Sequence, residues 1–457
     1  MSRKIEYSLI ALIFIIFIAI AAKGIFTAQP GDENVYYYMG KMVSEGYVPY
    51  RDFFYAHPPL QLYIMAPIFK LFGFNFFTLK LVPLVSTITT GFFLYLTARN
   101  MFGGGKALAS LALFLFSYST MFNSVFSFGI ELAVMFLIVG YYFYSVKNKL
   151  FIAGLFFGLA GISRFLSIIP IVIIISSSYW KEKRKFFILS SGFLAVFIGV
   201  NMVFLFEAGS DYAFSAYKFH LLKGAEQFKV SEYLNVIKLN WILFFGFAAF
   251  IFAKEKAQLK EFTIISAVYL IAMALMARVF NFYFMIAFPF MALVGGCCIY
   301  DILSNIKNKS KKYFIIILIF VIGIFLWNLA SDTLFLHKFG FEGFERGEDI
   351  KEFILEKSSS STLLFGDSST VPLIALMAGK KIALDVVDTN PAVFNTGALD
   401  ISKTLEKLKG SEVIFLARNT EGISQFPETR EFLNEKCDLL SSFNDKLEGL
   451  YLVYRCN

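Results

Sequence analysis

The chain has 457 residues, of which 57% are hydrophobic, 18% are aromatic and only 17% are charged, with a net charge of +8. A water-soluble protein of this length needs a more polar surface, so the composition excludes the soluble globular class. The positive charge does not indicate a nucleic-acid partner, because the basic residues cluster in short segments between long apolar runs.

The apolar runs predict a polytopic α-helical membrane protein with about eleven spans. Helices and closed barrels are the structures that satisfy the backbone in lipid, and the runs lack the alternation of barrel strands. The first run has no small-residue cleavage site and is expected to be a retained helix. The predicted spans cover residues 8–28, 80–98, 107–123, 128–146, 150–164, 166–180, 186–206, 239–253, 261–277, 283–300 and 313–330.

The distribution of basic residues predicts the orientation of these spans. Arg3, Lys4 and the basic clusters fall at alternate span ends, which the positive-inside rule assigns to the cytoplasm. We therefore expect a cytoplasmic amino terminus and outer loops at 29–79 and 207–238. The clusters lie at residues 99–106, 147–149, 181–185, 254–260 and 307–312.

The composition changes sharply after the last predicted span. This change divides the chain into a multi-span module, 1–330, and a small extracytoplasmic α/β domain, 331–457. Segment 401–409 is compatible with a helix. Short runs with strand character begin at Ser361, Lys381, Glu412 and Gly449.

Two of the four cysteines fall inside the predicted outer domain. A disulfide between Cys437 and Cys456 and a pair of unbridged buried thiols are both open at this point. Cys297 and Cys298 lie within a predicted span and are expected to be packing residues.

The first outer loop begins with two adjacent carboxylates, Asp32 and Glu33, directly after a span. Acidic residues there are costly without a partner or a function, although a solvated helix start is the simpler alternative because the helix dipole favours acids. That alternative does not account for the neighbouring tyrosines or for the proline pair after His57. The prolines stop one helix before an amphipathic stretch, so two surface-lying helices are expected.

Ionisable residues recur at the predicted outer ends of other spans. Cations at such ends run against the positive-inside bias and favour an anionic partner such as a phosphate. The structural alternatives are a Glu131–Arg164 pair that fixes helix packing and a Lys80 side chain that snorkels. Arg278 lies beside Tyr283 and a predicted kink at Pro289.

Other sequence features exclude several kinds of chemistry or leave them open. The chain has no phosphate-binding glycine loop, no zinc-type Cys/His spacing and only three histidines. No cofactor is implied, and a divalent metal held by Asp32 and Glu33 stays open. The polar residues of the second outer loop are more typical of a solvated face: Glu207, Asp211, Lys218, His220 and Lys223.

The first outer loop resembles that of the glycosyltransferase C superfamily. The branch to which it is most similar contains the dolichyl-phosphate-mannose–protein mannosyltransferases and the lipid A aminoarabinose transferases. The residues that carry the resemblance are Asp32-Glu33, Tyr36, Gly46-Tyr47-Val48-Pro49-Tyr50, His57-Pro58-Pro59-Leu60 and Leu71-Phe72-Gly73.

The resemblance implies an enzyme that moves a sugar from a polyprenyl-phosphate donor to an acceptor protein, lipid or glycan at the outer face. It implies that Asp32 is the general base, that Glu33 either shapes the field of Asp32 or binds the acceptor, and that His57 replaces a lysine common in aminoarabinose transferases. We expect inversion at the anomeric carbon. The substrate-binding candidates are His57, Arg278, Tyr283, Arg164, Glu131, Tyr36 and Arg51.

Two other functions compete with this interpretation. A transporter or flippase for a lipid-linked saccharide would fit the spans, but the sequence has no internal repeat, and its charges lie at the predicted outer edge rather than at the midplane. A catalytically silent assembly subunit is the third possibility, and the intact Asp32-Glu33 pair speaks against it.

Overall fold

The computed structural model describes residues 2–224, 229–276, 278–446 and 448–456. It is predominantly helical, with one four-stranded sheet near the carboxy terminus. Residues 225–228 of the predicted second outer loop, and residue 277 at the end of the predicted span 261–277, lie outside the described residues.

The α-helices are numbered in chain order. They are α1 (Arg3–Ile25), α2 (Asp32–Ser44), α3 (Leu60–Phe72), α4 (Phe76–Phe102), α5 (Gly104–Leu115), α6 (Tyr118–Asn123), α7 (Ile130–Ser145), α8 (Leu150–Ser163), α9 (Ile168–Lys181), α10 (Lys183–Ala213), α11 (Phe219–Leu222), α12 (Lys229–Leu239), α13 (Trp241–Ala248), α14 (Lys256–Leu275), α15 (Phe288–Lys309), α16 (Lys311–Phe335), α17 (Gly347–Lys357), α18 (Val371–Ala378), α19 (Pro391–Asn395), α20 (Ile401–Leu408) and α21 (Pro427–Lys436).

Helix length and composition confirm a multi-pass helical membrane protein. In the described part of the chain, six helices can each cross a membrane, and a seventh candidate is a pair of helices bent by 86°. The predicted count of about eleven is not reached on length alone, because four predicted spans coincide with apolar helices of 10–17 residues. The six helices are Arg3–Ile25, Phe76–Phe102, Lys183–Leu222, Lys256–Leu275, Phe288–Lys309 and Lys311–Gly340, and the bent pair is Val230–Leu239 with Trp241–Phe252.

The chain divides into two compact units. The helical unit contains Met1–Ile25, Lys80–Asn201 and Gly224–Phe341, and the sheet unit contains Phe26–Leu79, Met202–Lys223 and Glu342–Asn457. The sheet unit therefore combines the predicted first outer loop, part of the second, and the carboxy-terminal region. The domain boundary at residue 331 stays a prediction.

The sheet of the sheet unit has the strand order β1-β2-β4-β3. β1 (Leu363–Gly366) runs parallel to β2 (Val413–Arg418), whereas β4 (Gly449–Cys456) runs antiparallel to both β2 and β3 (Cys437–Asp445). The predicted runs at Ser361, Glu412 and Gly449 correspond to β1, β2 and β4. The sequence analysis did not predict β3.

The run at Lys381 is not a strand, and that prediction was wrong. Leu384 and Asp385 have φ angles of 60° and 56°, so the backbone turns into the left-handed region instead of extending. Ile382 makes a single bridge to Leu364, and its N–H donates to the Tyr38 hydroxyl at 2.9 Å. The run therefore ends as a 3₁₀ turn, Ala383–Asp385, that leads into the candidate site.

The cysteines of the sheet unit are bridged. Cys437 and Cys456 lie opposite each other in the β3–β4 register and form a disulfide. Cys297 and Cys298 are both buried free thiols in α15, in the core of the helical unit.

Candidate functional site

The amino end of α2 is fixed by the rest of the sheet unit. The Gly31 N–H donates to the Ser369 carbonyl at 3.0 Å, and the Asn34 side chain donates to the Gln29 carbonyl at 2.7 Å. Most side chains of α2 are buried, so this helix is enclosed and does not lie on a surface as predicted. These contacts leave the first residue of the helix, Asp32, at its exposed end.

The two adjacent carboxylates have different environments. Asp32 is exposed and lines a small cleft of about 50 Å³. Glu33 is 2% exposed and accepts a hydrogen bond from the Tyr37 hydroxyl at 3.2 Å. Asp32 therefore lines the cleft, and Glu33 does not.

Aromatic and basic side chains complete the wall beside Asp32. Tyr36 and His57 line the same cleft, and the Tyr36 hydroxyl lies 3.0 Å from His57 Nε2. The His57 ring stacks on His220, with a centroid distance of 5.2 Å, and the Tyr50 hydroxyl donates to the His57 carbonyl at 2.6 Å. The local contacts of the first loop therefore hold His57 beside the helix that carries Asp32.

A second carboxylate, Asp388, lies in the same cleft as Asp32, together with Lys223 and Asn390. The Asn390 N–H donates to Asp388 Oδ1 at 3.0 Å. Burial is the main cause that raises the pKa of Asp388, the hydrogen bond from Asn390 and the charge of Lys223 lower it, and the charge of Asp32 raises it, with a net pKa of about 6. Asp32 and Asp388 are thus two carboxylates that line one cleft, and the catalytic role of Asp32 and Glu33 stays a prediction.

In the helical unit, Glu131 and Arg164 meet at the backbone of Phe128. The Phe128 N–H donates to Glu131 Oε1 at 3.3 Å, and Arg164 Nη2 donates to the Phe128 carbonyl. Both charged side chains are buried. They lie close together, as the packing alternative requires, because both bond to the backbone of the same residue, Phe128.

Arg278 and Tyr283 belong to the same region of the helical unit. The Arg278 guanidinium lies 5.0 Å from the ring of Phe280, which stacks on Phe282, and Phe282 stacks on Phe128 with centroids 4.7 Å apart. Tyr283 packs edge-on against Phe282 at 5.0 Å. One row of rings therefore brings together the four predicted substrate-binding residues of this unit.

The remaining cations lie elsewhere. Lys80 is fully buried and donates to the Val125 carbonyl at 3.2 Å, so it does not reach outward as a snorkelling side chain would. Arg51 is exposed, with its guanidinium 2.9 Å from Asp52 and 3.3 Å from Glu207. The hydrogen bond from Arg51 holds the pKa of Asp52 below its usual value.

The sequence did not identify two charged residues of the cleft, Lys223 and Asp388, or His220, which stacks on His57 beside it. Lys223 and His220 were assigned to a solvated face, because nothing in their spacing shows that the second loop folds onto the first. Asp388 lies just before Asn390-Pro391, which is typical of a capped helix start, and Asn390 does cap α19. An acidic residue in a short turn after an apolar run was the available signal.

The arrangement of possible metal ligands was compared with that of a metal site. Among the described residues, no group of three or more His, Cys, Asp or Glu side chains is arranged to hold a metal ion.

One family model and several solved structures are similar to this chain. Residues 56–204 match the family model for dolichyl-phosphate-mannose-protein mannosyltransferase, a match that includes His57 but not Asp32. No curated protein sequence matches the chain.

Three solved structures share the fold. ArnT from Cupriavidus metallidurans bound to undecaprenyl phosphate has 12% identity and a TM-score of 0.70, over 97% of each chain. The Archaeoglobus fulgidus oligosaccharyltransferase AglB, in complex with an inhibitory peptide and a dolichol-phosphate, has 11% identity and a TM-score of 0.60, over 98% of this chain and 74% of AglB. The mycobacterial arabinofuranosyltransferase AftD has 11% identity and a TM-score of 0.58, over 100% of this chain and 40% of AftD.

Proposed function

We propose that this chain is a membrane glycosyltransferase similar to the dolichyl-phosphate-mannose-protein mannosyltransferases, and that it transfers a sugar from a polyprenyl-phosphate donor to an acceptor hydroxyl. The family match over residues 56–204 and the ArnT-like fold support the reaction class. The observation that carries the proposed site is the cleft in which an exposed Asp32 faces His57, Lys223 and Asp388.

The reaction needs one proton transfer and one displacement. The acceptor oxygen forms a bond to the anomeric carbon of the sugar, while the bond from that carbon to the phosphate oxygen breaks. The acceptor proton goes to the carboxylate of Asp32, and the polyprenyl phosphate leaves with the electron pair of the broken bond. A single displacement from the face opposite the phosphate inverts the anomeric centre.

Cations are proposed to stabilise the charge that develops on the departing phosphate. In the sheet unit, Lys223 and His57 line the cleft that contains Asp32. As a separate proposal for the helical unit alone, Arg278 and Arg164, which lie along one row of aromatic rings, contact lipid-linked phosphate. In the cleft of the sheet unit, His57 would act as a pH-sensitive cation.

The proposed topology has eleven crossings, with the amino terminus in the cytoplasm and residues 331–457 outside. The four short apolar helices add to the six long helices and the bent pair to give this number. The disulfide between Cys437 and Cys456 supports an oxidising, extracytoplasmic location for the sheet unit.

Transfer of labelled sugar by purified protein in lipid vesicles tests the proposal, with wild type, Asp32→Asn and Glu33→Gln compared. Asn keeps the shape of Asp32 but cannot accept the proton, so we expect kcat to fall by about 10²–10⁴ with donor binding retained. The anomeric configuration of the product is read by NMR.

Three outcomes would contradict parts of the proposal. Binding of polyprenyl-phosphate sugars without cleavage, for every acceptor supplied, would favour a flippase. Full activity of Asp32→Asn with loss in Glu33→Gln would move the base to Glu33. Retention of configuration would exclude the single displacement.

A further inference from the structure

A second and larger cleft lies within the sheet unit. Its volume is about 500 Å³, which falls in the range of sites that bind small molecules. Its walls come from the turn at 50–54, from residues between 211 and 215 at the end of α10 and just beyond it, and from segments 384–388 and 398–407 of the carboxy-terminal region. Three stretches that are distant in sequence thus build one concave surface.

The larger cleft adjoins the proposed catalytic cleft through Asp388, which lines both. Asp388 is also the carboxylate on which the charge of Asp32 acts. A ligand held in the larger cleft would therefore reach the side chain that faces the proposed base. This position suits the acceptor, whose hydroxyl must come to Asp32.

The charge of the larger cleft disfavours anionic ligands. Its carboxylates are Asp52, Asp211, Asp385 and Asp388, and its cations are Arg51 and Lys407. Arg51 is already held by Asp52 and Glu207. The excess of acid would repel a phosphorylated headgroup or another polyanion.

The other lining residues suit a sugar. Four aromatic residues, Tyr50, Phe53, Phe54 and Phe214, line the cleft, and Phe54 and Phe214 are the two that are partly exposed. Carboxylates accept hydrogen bonds from hydroxyl groups. The aliphatic face of a pyranose packs on an aromatic ring, while its equatorial hydroxyls donate to acidic side chains. A neutral saccharide uses both features, whereas an extended peptide has few hydroxyl donors.

We propose that this cleft binds the acceptor and that the acceptor is a neutral glycan with free hydroxyls. The inference rests on the proposed function for its role in transfer, but the binding itself does not depend on the reaction.

Equilibrium binding tests whether the cleft binds a glycan independently of whether the protein transfers a sugar. Saturation-transfer NMR is measured on the detergent-solubilised full chain without donor, using neutral trisaccharides of glucose, mannose and galactose, a phosphorylated form of each, and a Ser/Thr-rich peptide. We expect at least one neutral trisaccharide to bind and its phosphorylated form to bind about tenfold more weakly or not at all.

Asp385→Asn and Phe214→Ala test the location, with Asp438→Asn as the matched control. Asn tolerates the left-handed backbone of Asp385, so this variant is expected to fold. Loss of a charged acceptor or of a ring face is expected to weaken saccharide binding about tenfold. Asp438 is an exposed carboxylate on β3 that lines neither cleft, and its replacement is expected to leave binding at the wild-type level.

Failure of every neutral trisaccharide to bind, or tighter binding of the phosphorylated sugars or the peptide, would overturn the glycan proposal. Equal binding by Asp385→Asn, Phe214→Ala and wild type would move the glycan out of this cleft. Neither result affects donor cleavage, which is measured separately and decides the proposed function.

Discussion

One charge cluster of the helical unit and the proposed catalytic cleft of the sheet unit arrange ionisable side chains in opposite ways. In the helical unit, Lys106 Nζ lies 2.6 Å from Glu255 and 3.0 Å from Asp301, and the Lys106 and Asp301 side chains are 7% and 6% exposed. In the sheet unit, Asp32 and Asp388 bring two like charges to one cleft. Opposite charges that satisfy each other hold a structure together, whereas like charges gathered in a cleft cost stability and are common at functional sites.

A second cluster in the helical unit follows the first pattern. Glu6 Oε1 lies 2.8 Å from Arg99 Nε and also accepts a hydrogen bond from the Tyr95 hydroxyl. Each of these clusters joins helices that are distant in sequence. The difference between these two clusters and the cleft of the sheet unit separates charges that maintain the fold from charges that we propose to act on a substrate.

The largest expected effect is the loss of the Lys106 cluster. Lys106→Met leaves the buried Asp301 without this cation, and we expect a loss of about 3–5 kcal/mol in the free energy of unfolding. Denaturant unfolding in detergent micelles measures it.

Lys185→Met is the control for that experiment, because Lys185 forms an exposed pair with Glu182 at 3.2 Å. Its replacement is expected to change stability by less than about 0.5 kcal/mol. Wild-type stability with a loss of transfer activity in Lys106→Met would contradict the structural role of this cluster, since Lys106 would then be functional.

The disulfide of the sheet unit comes next. Replacing both Cys437 and Cys456 with Ser removes a cross-link between residues 19 apart, and we expect the sheet unit to lose about 2–4 kcal/mol. Thermal unfolding, detected by limited proteolysis of the sheet unit, measures the loss. A reducing agent should reproduce the effect in wild type and have no effect on the double variant, whereas equal sensitivity of both proteins would contradict the assignment.

The next prediction compares Asp388→Asn with wild type in the pH dependence of the free energy of unfolding. The pKa of Asp388 in the fold is about 6, above the usual value near 4, so the folded protein holds this proton more tightly than the unfolded chain. Stability from this group is therefore present at low pH and is lost as the pH rises from about 4 to about 6. Allowing for partial exposure, the loss is about 2 kcal/mol.

Asn carries no ionisable proton, so the variant is expected to lose that pH dependence and to be more stable than wild type at pH 7. The other charged groups of the cleft are Asp32, Lys223 and His57, and the variant keeps them all. Thermal unfolding between pH 4 and 8 checks the expectation. Parallel stability curves for the two proteins would show that Asp388 does not carry the unfavourable charge.

Much of the fold could be predicted because it depends on local patterns. Apolar runs predicted the helices that cross the membrane, and β-rich runs predicted β1, β2 and β4. The short helices were less certain, because a run shorter than the bilayer thickness has the composition of a span without its length. The error at Lys381 arose because Leu384 enters a left-handed turn that its apolar side chain does not signal.

The candidate site was harder to predict because its parts come from distant segments. Asp32, Tyr36 and His57 lie in one loop and could be found from their spacing. Asp388 and Lys223 reach the same cleft only through the folding of the sheet unit, which no local pattern encodes. The inward direction of Glu33 follows from helical geometry, but only once α2 is known to be enclosed.

The smallest expected effect concerns that inward carboxylate. Glu33 is buried like the charges of the helical unit, which fits a structural role. It also lies next to the proposed base, which fits a catalytic role. Tyr37→Phe removes the hydroxyl that donates to Glu33 Oε2 at 3.2 Å, and we expect a loss of about 1 kcal/mol in stability. If Glu33 is structural, unfolding measurements will show this loss while kcat at saturating donor stays within about twofold of wild type. A fall in kcat without a loss of stability would instead place Glu33 with Asp32 in the catalytic group.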